Sequence, residues 1–569
     1  MRVLHARVSR VSRDVRLYSV SRDVHRCAQV CLHTCNPSSA YHQPAVQVTS
    51  HLKVKLRTYA NYNARTQLQA VQPARNAKRT NALRAVDAEA EAETDTSAPV
   101  SAGVVTWQLC VAVAVICLGN FLFGWHAGAL NPALQAVTQD VAIAPETVPF
   151  AVSSLVVGGT IGALLTPLAM DGYGRRAALT LTAVPMVLGS LLMAQATTPV
   201  GFILGRTLAG MGAGAASVCA PALVAELAPD HVRGRLSSVC RLAYVLGILA
   251  TFVLAQSLQG GAVGAGAAEW WRPLYFVAIV PAAMMATSLI AGAAPESPIW
   301  LARQGKDDAA SRALGIARGL SRDETARWLQ KERDASLRGC STGSGDTWKD
   351  LFTLPEHARS HRICTRLAIF QALGGSNIVV FYAASLFASA GVSNPAAAVV
   401  IVGIANVAGT LAATVLTDSF GRKPLLVGSF SSMATCMCAL ALAATPQFIA
   451  LVGAETASTL SCACVPLFIL CFACGVGPIP YLLYSEVYAS RVRAKGASFC
   501  GALNWGANIL LCYTFLPMKE ALGDTAVFGI YACINFAALI FVRANVFETR
   551  GRSLQEIENE LAPTVCVRE

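Results

Sequence analysis

Long apolar stretches alternate with short polar loops along most of the chain, from about residue 106 to about residue 545. Each stretch holds about 18–25 residues, enough for a helix to cross the ~30 Å hydrocarbon core of a bilayer. Such segments must be helical, because lipid offers no partners for free backbone N–H and C=O groups. The pattern predicts twelve membrane helices, near residues 106–130, 148–170, 178–196, 201–222, 237–258, 273–293, 364–389, 396–417, 425–446, 459–484, 496–517 and 523–545.

A polar, highly charged stretch divides the twelve helices into two sets of six. Residues 295–362 carry charges at helical spacing and are expected to form short helices on the membrane face. We therefore predict an all-α membrane protein with an N-terminal six-helix half over 105–294 and a C-terminal six-helix half over 363–547, followed by a tail over 548–569.

The two halves repeat the same polar motifs in the same order. Each has a D-x-x-G-R-[RK] loop, then a glutamate seven residues before an arginine, then a further glutamate, at an offset of about 250 residues. The positions are Asp171, Arg175, Arg176, Glu226, Arg233 and Glu296 in the first half, and Asp418, Arg422, Lys423, Glu486, Arg493 and Glu548 in the second. Duplicated halves are typical of transporters that rock about a central binding site.

The basic loops also predict the orientation. With twelve helices, the loops that hold the repeated arginines fall on one side of the membrane, together with the linker and the tail. The positive-inside rule makes this the cytoplasmic side, or the topologically equivalent stroma of a plastid.

Composition supports a membrane protein, and the distribution of charge argues against a nucleic-acid partner. Hydrophobic residues make up 54% of the chain and charged residues 14%, with a mean hydropathy of +0.49. The net charge of +12 is confined to one end, because residues 1–86 hold 15 of the 45 Lys and Arg residues but only two of the 33 acids. The basic and acidic residues of the rest nearly cancel.

The N-terminal region is Arg- and Ser-rich, acid-poor and without a long apolar run, which is typical of an organelle transit peptide. A basic cytosolic tail is the alternative. We assign residues 1–86 to the transit peptide and the acidic stretch 87–104 to a flexible linker that begins the mature protein. The expected location is therefore an organelle membrane.

No catalytic or metal-binding motif interrupts this pattern. The sequence has no Walker A loop, no HExxH motif and no clustered metal ligands. Most of the 19 cysteines lie inside apolar runs, where a free thiol behaves as a small hydrophobe. We predict that the protein is not an enzyme and holds no cofactor, metal or disulfide framework.

Six motifs together resemble a known family. DGYGRR and DSFGRK resemble the loops of the major facilitator superfamily, while PESPIWL, QALGGSNIVVFY, GPIPYLLYSEVYASRVRAKG and FETRGRSLQEIE resemble its sugar porter family, in family order. LFGWHAGALNPAL and EVYASRVRAK look most like plastidic glucose transporters. The resemblance implies a major facilitator fold, a sugar substrate moved by alternating access, a plastid envelope location and a monomer as the functional unit.

The resemblance also implies a gate on the inner face, where salt bridges between the halves close the inner side. The candidate gating residues are Asp171, Arg175, Arg176, Glu226, Arg233, Asp418, Arg422, Glu486 and Arg493. Positive charges that only anchor the topology are the alternative.

Amides supply the donors and acceptors that a sugar requires inside an apolar cavity. By resemblance, the candidate substrate contacts in the second half are Gln371, Asn377, Asn406, Tyr481, Trp505 and Asn508. Isolated amides in membrane helices also serve as interhelical contacts, which is the alternative.

The chain departs from the family pattern at several positions. Ala372 replaces the second of two paired glutamines, Tyr481 and Ile299 replace a tryptophan and an arginine, and Arg241 replaces a substrate-binding glutamine. Arg241 either faces the cavity, where it would attract an anionic sugar derivative, or extends toward an aqueous end of its helix.

His126 is the one ionisable residue in the stretch LFGWHAGALNPAL, at the end of the first apolar run. Proton-coupled sugar porters commonly carry an aspartate here, near an arginine that Arg206 matches. Packing or hydrogen bonding, proton coupling and substrate contact are all open for His126. We predict facilitated diffusion of a hexose, with proton symport, an anionic sugar and a non-transporting sugar sensor as alternatives.

Overall fold

The computed structural model describes residues 104–229, 231–260, 269–341, 348–392, 394–489, 492–552 and 554–561, and all regular secondary structure within these ranges is helical. The predicted transit peptide and the linker up to residue 103 lie outside the described residues. The all-α fold is therefore confirmed for the part that follows them.

The first half and the linker comprise ten helices within the described ranges. The first half contains α1 (Trp107–Asp140), α2 (Val148–Tyr173), α3 (Arg175–Ala194), α4 (Pro199–Leu227), α5 (Arg233–Gly260) and α6 (Arg272–Ile290). The linker contains α7 (Pro298–Arg303), α8 (Asp307–Arg318), α9 (Arg322–Ser341) and α10 (Trp348–Thr353). The linker is thus helical, as its charge spacing predicts.

The second half contains two broken helices and one very long one. Its elements are α11 (Pro355–Leu373), α12 (Ser376–Ser389), α13 (Pro395–Phe420), α14 (Arg422–Ala443), α15 (Pro446–Val452), α16 (Ala454–Cys474), α17 (Ile479–Val487), α18 (Arg493–Asn545) and α19 (Leu554–Leu561). The first break lies at Gly374–Gly375 between α11 and α12, and the second at residues 475–478 between α16 and α17.

Eleven helical stretches of the described ranges are long and apolar enough to cross a membrane, rather than twelve. The difference arises because the segments predicted at 496–517 and 523–545 share one helix, α18. Its backbone leaves helical geometry at Gly523, with φ 77° and ψ 165°. The apolar part of α18 has 51 residues, about 75 Å at 1.5 Å per residue, which is long enough for two crossings that meet at Gly523.

Glycines set the closest helix contacts in the first half. A Cβ atom built on Gly158 would lie 2.0 Å from the carbonyl oxygen of Thr207, and one on Gly162 would lie 2.0 Å from that of Met211. Both pairs join α2 to α4. Small residues drive such packing in lipid, where apolar burial gives helices no advantage over contact with acyl chains.

The two halves meet mainly along three helix pairs: α1 with α12, α2 with α18, and α5 with α13. We call the face that holds the loops at Arg175 and Arg422 the inner face, and the opposite one the outer face. The central cavity lies where the three pairs converge.

Candidate substrate cavity and gate

A cavity between the two halves brings most of the predicted substrate contacts together. It encloses about 890 Å³ including its open mouth. Seven of the eight candidates line it, namely Arg241, Gln371, Asn377, Asn406, Tyr481, Trp505 and Asn508. The eighth, His126, does not.

The Gln371 amide is already hydrogen-bonded to the protein. Its Nε2 donates to the carbonyl oxygens of Val476 and Gly477, both at 2.9 Å, and its Oε1 accepts from Nδ2 of Asn504 at 3.2 Å. Val476 and Gly477 lie in the break between α16 and α17, which leaves their carbonyls without helical partners. Gln371 therefore ties α11 to this break.

Two further amides continue the chain from Asn504. Asn508 donates to the carbonyl and side-chain oxygens of Asn504 at 2.9 and 3.1 Å, and Asn377 donates to Oδ1 of Asn508. Sequence reasoning missed Asn504, although it stands one turn before Asn508 on the same face of α18. These four amides, Gln371, Asn377, Asn504 and Asn508, form a preorganised polar wall.

Asn406 differs from the other amides because it has unused hydrogen-bonding capacity. It is buried on α13, and its Oδ1 has no partner. The hydroxyl of Thr410, one turn further along α13, is also buried and without a partner. Buried polar atoms without partners are costly, so Asn406, which lines the cavity, is the strongest candidate for hydrogen bonds to a substrate.

Aromatic rings form another part of the cavity wall. Phe123 packs against Tyr244 with ring centroids 4.7 Å apart and stacks on Trp505 at 5.8 Å. A Cβ atom on Gly159 would lie only 2.7 Å from the Trp505 indole. Trp505 thus reaches across from the second half onto α1 and α2, and its ring forms part of the lining.

His126 lies in the interior of the first half, beside Arg206. It is 1% exposed, and neither ring nitrogen has a hydrogen-bond partner. Arg206 is fully buried and donates to the backbone oxygens of Ala151 at 3.0 Å and Val152 at 3.5 Å. Among the described residues no carboxylate pairs with Arg206, and His126 is separated from the cavity.

The described ion pairs of the inner face each lie within one half. Arg175 pairs with Glu226 at 3.2 Å and with Asp171 at 3.4 Å, and Arg422 pairs with Glu486 at 2.9 Å. The predicted salt bridges between the halves are not formed by these residues in this conformation. Such partly exposed pairs contribute little each, so they can exchange partners during a conformational cycle.

The other predicted gating residues occupy the same face. Arg176 donates from Nη1 to the carbonyl oxygen of Ala294 at 3.3 Å, and Arg493 donates to that of Tyr488 at 3.2 Å. Arg233 begins α5. Asp418 lies near the end of α13, but its side chain lies outside the described part of the structure.

Two glutamates that sequence reasoning left out of the gate cap helices symmetrically in the two halves. Glu296 accepts from the backbone N–H groups of Arg175 at 2.8 Å and Arg176 at 3.0 Å. Glu548 accepts from those of Arg422 at 2.9 Å and Lys423 at 3.0 Å. Their repetition at corresponding positions of the two halves is the sequence signal that could have identified them. A carboxylate suits the positive end of a helix dipole.

The helix cap lowers the pKa of Glu548. Partial burial acts to raise this pKa, but the backbone N–H groups of Arg422, Arg550, Lys423 and Thr549 outweigh burial and hold it below its usual range.

We expect Glu548→Ala to lower the thermal stability of the protein, since it leaves the first N–H groups of α14 unpaired at a cost of about 1–3 kcal/mol. Because the folded-state pKa lies below the unfolded value of about 4.3, the stabilisation is complete at pH 7 and is lost only as pH falls below about 4. Melting curves of the purified protein from about pH 8 to about pH 3, a range that spans this loss, measure the effect, with the exposed Glu520→Ala as control. Equal melting temperatures for the two variants at pH 7 would contradict the cap.

The outer face is closed by direct contacts between the halves. Asn131 of α1 donates to the backbone oxygens of Val380 at 2.8 Å and Val379 at 3.2 Å, and accepts from the N–H of Ala384 at 2.8 Å. A Cβ atom on Gly403 would lie 2.9 Å from the Leu249 side chain. The described contacts thus hold the two halves together on the outer side of the cavity.

Comparisons with known proteins agree with this geometry. A family model described as "Sugar (and other) transporter" matches residues 112–561. Plastidic glucose transporter 4 of Arabidopsis thaliana is 35% identical over 481 residues, covering 84% of this chain and 85% of that protein. The galactose-proton symporter of Escherichia coli is 31% identical over 470 residues, covering 82% and 96%.

Solved structures give the same result. The xylose transporter XylE from Escherichia coli, in a partially occluded inward-open conformation, matches with a TM-score of 0.67 and 25% identity. The match covers 79% of this chain and 100% of that one.

Proposed function

Because the chain belongs to the sugar transporter family of the major facilitator superfamily, whose members are transporters and not enzymes, we propose that it carries a hexose across a plastid envelope membrane by facilitated diffusion. The chain is a multi-pass membrane protein with a sugar as its substrate class. Three points belong to the proposal: that the sugar is a hexose, that transport is not coupled to protons, and that the conformational states follow one another by alternating access.

The central cavity is the observation that supports this proposal most directly. It lies between two pseudo-symmetric halves, and it combines a wall of fixed amides with an indole ring and the unpaired side-chain oxygen of Asn406. Hydroxyl groups of a sugar need both donors and acceptors, and its C–H face packs on an aromatic ring.

The arrangement of contacts supports alternating access. The halves touch through Asn131 on the outer side, while the described ion pairs of the inner face stay within each half. Rocking of the two halves would break the first set of contacts and form new ones on the inner side.

The plastid location is supported by two independent observations. Several plastidic glucose transporters of Arabidopsis thaliana are among the similar proteins. The Arg- and Ser-rich N-terminal region has the composition of a transit peptide.

The surroundings of His126 argue against proton symport. A coupling group must exchange protons with water on both sides in turn, but His126 is buried away from the cavity and next to the Arg206 charge. Among the described residues, no carboxylate forms an ion pair with Arg206. The described structure therefore offers no carboxylate at Arg206 that could carry the proton in place of His126.

We expect the purified protein in liposomes to take up D-glucose but not L-glucose, saturably, until the inside and outside concentrations are equal. An imposed inward pH gradient should not drive accumulation beyond that level. Uphill uptake that disappears in His126→Ala would show proton symport instead. Stereospecific binding without flux across sealed vesicles would identify a sensor.

A further inference from the structure

Arg241 is the charged member of the cavity wall, since none of the other described lining residues is an acid or a base. It lies on α5, and its guanidinium group lies over the Tyr244 ring, 5.0 Å from the ring centroid. Its Nη2 lies 3.4 Å from the position of a Cβ atom on Gly477, at the break between α16 and α17. The guanidinium therefore lies at the broken helix of the second half, not at an aqueous end of α5.

No acidic side chain neutralises this charge among the described residues. Arg241 forms no ion pair and no hydrogen bond there, and its contact with Tyr244 is a cation–π interaction. Tyr244 and Tyr481 both lie within electrostatic reach of the guanidinium. Each phenol can donate one hydrogen bond, so the three side chains together offer a cluster of donors and no carboxylate acceptor.

We propose that the preferred substrate is a hexose derivative with a single carboxylate, such as a hexuronate, held by Arg241. This inference rests on the proposed function, because it assigns the substrate class of the same cavity. The carboxylate takes the two parallel N–H groups of the guanidinium in the bidentate geometry that arginine favours. The ring hydroxyls then meet the amides of the second half.

The charge balance selects a carboxylate over a phosphate. One guanidinium neutralises one negative charge, and no second cation lines the cavity among the residues that the structure describes. A phosphate monoester carries a charge of about −1.5 to −2 at pH 7, so part of that charge would stay without a cationic partner inside the cavity, at a cost in free energy. A neutral hexose would leave the guanidinium itself without a partner.

The test uses the full chain in liposomes with labelled D-glucose, D-glucuronate and D-glucose 6-phosphate, each also added as an unlabelled competitor. We expect glucuronate to half-saturate transport at a concentration about 10-fold or more below the other two. In Arg241→Gln, the preference for glucuronate over glucose should fall by about 10- to 100-fold, as expected for loss of charge-assisted hydrogen bonds. Arg303→Gln, an exposed arginine of α7, should keep the preference.

Three results would overturn the inference: glucuronate that neither enters nor competes, glucose 6-phosphate as the best substrate, or an unchanged preference in Arg241→Gln. Glucose uptake without glucuronate uptake would leave the proposed hexose transport intact, whereas uptake of neither compound would reject the proposed function itself. If Arg241→Gln does not purify as a single monodisperse species, competition by glucuronate in the unmodified protein decides.

Discussion

Asn406→Leu is expected to raise the sugar concentration that half-saturates transport by about 10- to 100-fold, without loss of thermal stability. The substitution keeps the side-chain volume but removes an amide that hydrogen-bonds to no other described residue. Its hydrogen-bonding atoms are therefore available to substrate, and a site that loses such partners discriminates poorly. Uptake kinetics in liposomes and melting curves of the same preparations measure the two effects.

Asn504→Leu is the matched control, since it removes a neighbouring cavity amide that the protein itself uses. Asn504 joins Gln371 to Asn508 and also donates to the backbone oxygen of Ala368 at 3.1 Å. This variant should melt at a lower temperature, because it leaves buried partners unpaired. If Asn406→Leu lost stability as Asn504→Leu does, with unchanged affinity, Asn406 would be a helix-packing residue and not a substrate contact.

Hydropathy and the repeated motifs predict the architecture well. An apolar run of about twenty residues must be helical in lipid, so ten of the eleven helical stretches follow from length alone. The exception is the pair joined in α18. The pattern separates 496–517 from 523–545 at the charged residues Lys519 and Glu520, but the backbone between them leaves helical geometry only at Gly523, where φ is positive.

The candidate site was predicted only in part, because residue type does not reveal which hydrogen bonds are already made. Gln371 and Asn406 are both amides expected to contact the sugar, yet both donors of Gln371 bind the backbone at the broken helix while Asn406 stays unpaired. That distinction depends on where the break between α16 and α17 places its carbonyls. His126 illustrates the same limit, since its depth in the first half depends on the packing of α1 against its neighbours.

Asn131 was missed for a related reason, since its partners are backbone groups of a distant helix. Its amide contacts both ends of one turn of α12, the Val380 oxygen and the Ala384 N–H. An amide that bonds a helix in this way holds one backbone orientation and one distance, so it acts as a latch between α1 and α12. No periodicity or motif spacing encodes such a contact.

Asn131→Leu should shift the protein away from the conformation that is closed on the outer side. Hydrogen bonds between membrane helices contribute about 0.6 kcal/mol on average, so the loss of three is worth about 2 kcal/mol, or about a 30-fold change in the ratio of the two states. Hydrogen–deuterium exchange in nanodiscs reports this directly, because the backbone amides of α12 around Ala384 should exchange faster. The maximal rate of uptake should also fall, since the return step then starts from a less populated state.

The matched control for the latch is Asn120→Leu, which removes a buried amide from the same helix. The side chain of Asn120 faces Cys240, within the first half. It should leave exchange in α12 unchanged, because Asn120 makes its contact inside one rigid half. Equal protection of α12 in both variants would mean that the outer side is held by apolar packing, such as that of Leu249 and Phe252 against Gly403. If exchange is faster only in Asn131→Leu, the Asn131 side chain is responsible for closing the outer side. Substitutions of Asn131 would then change the equilibrium between the two states without altering a side chain of the sugar site.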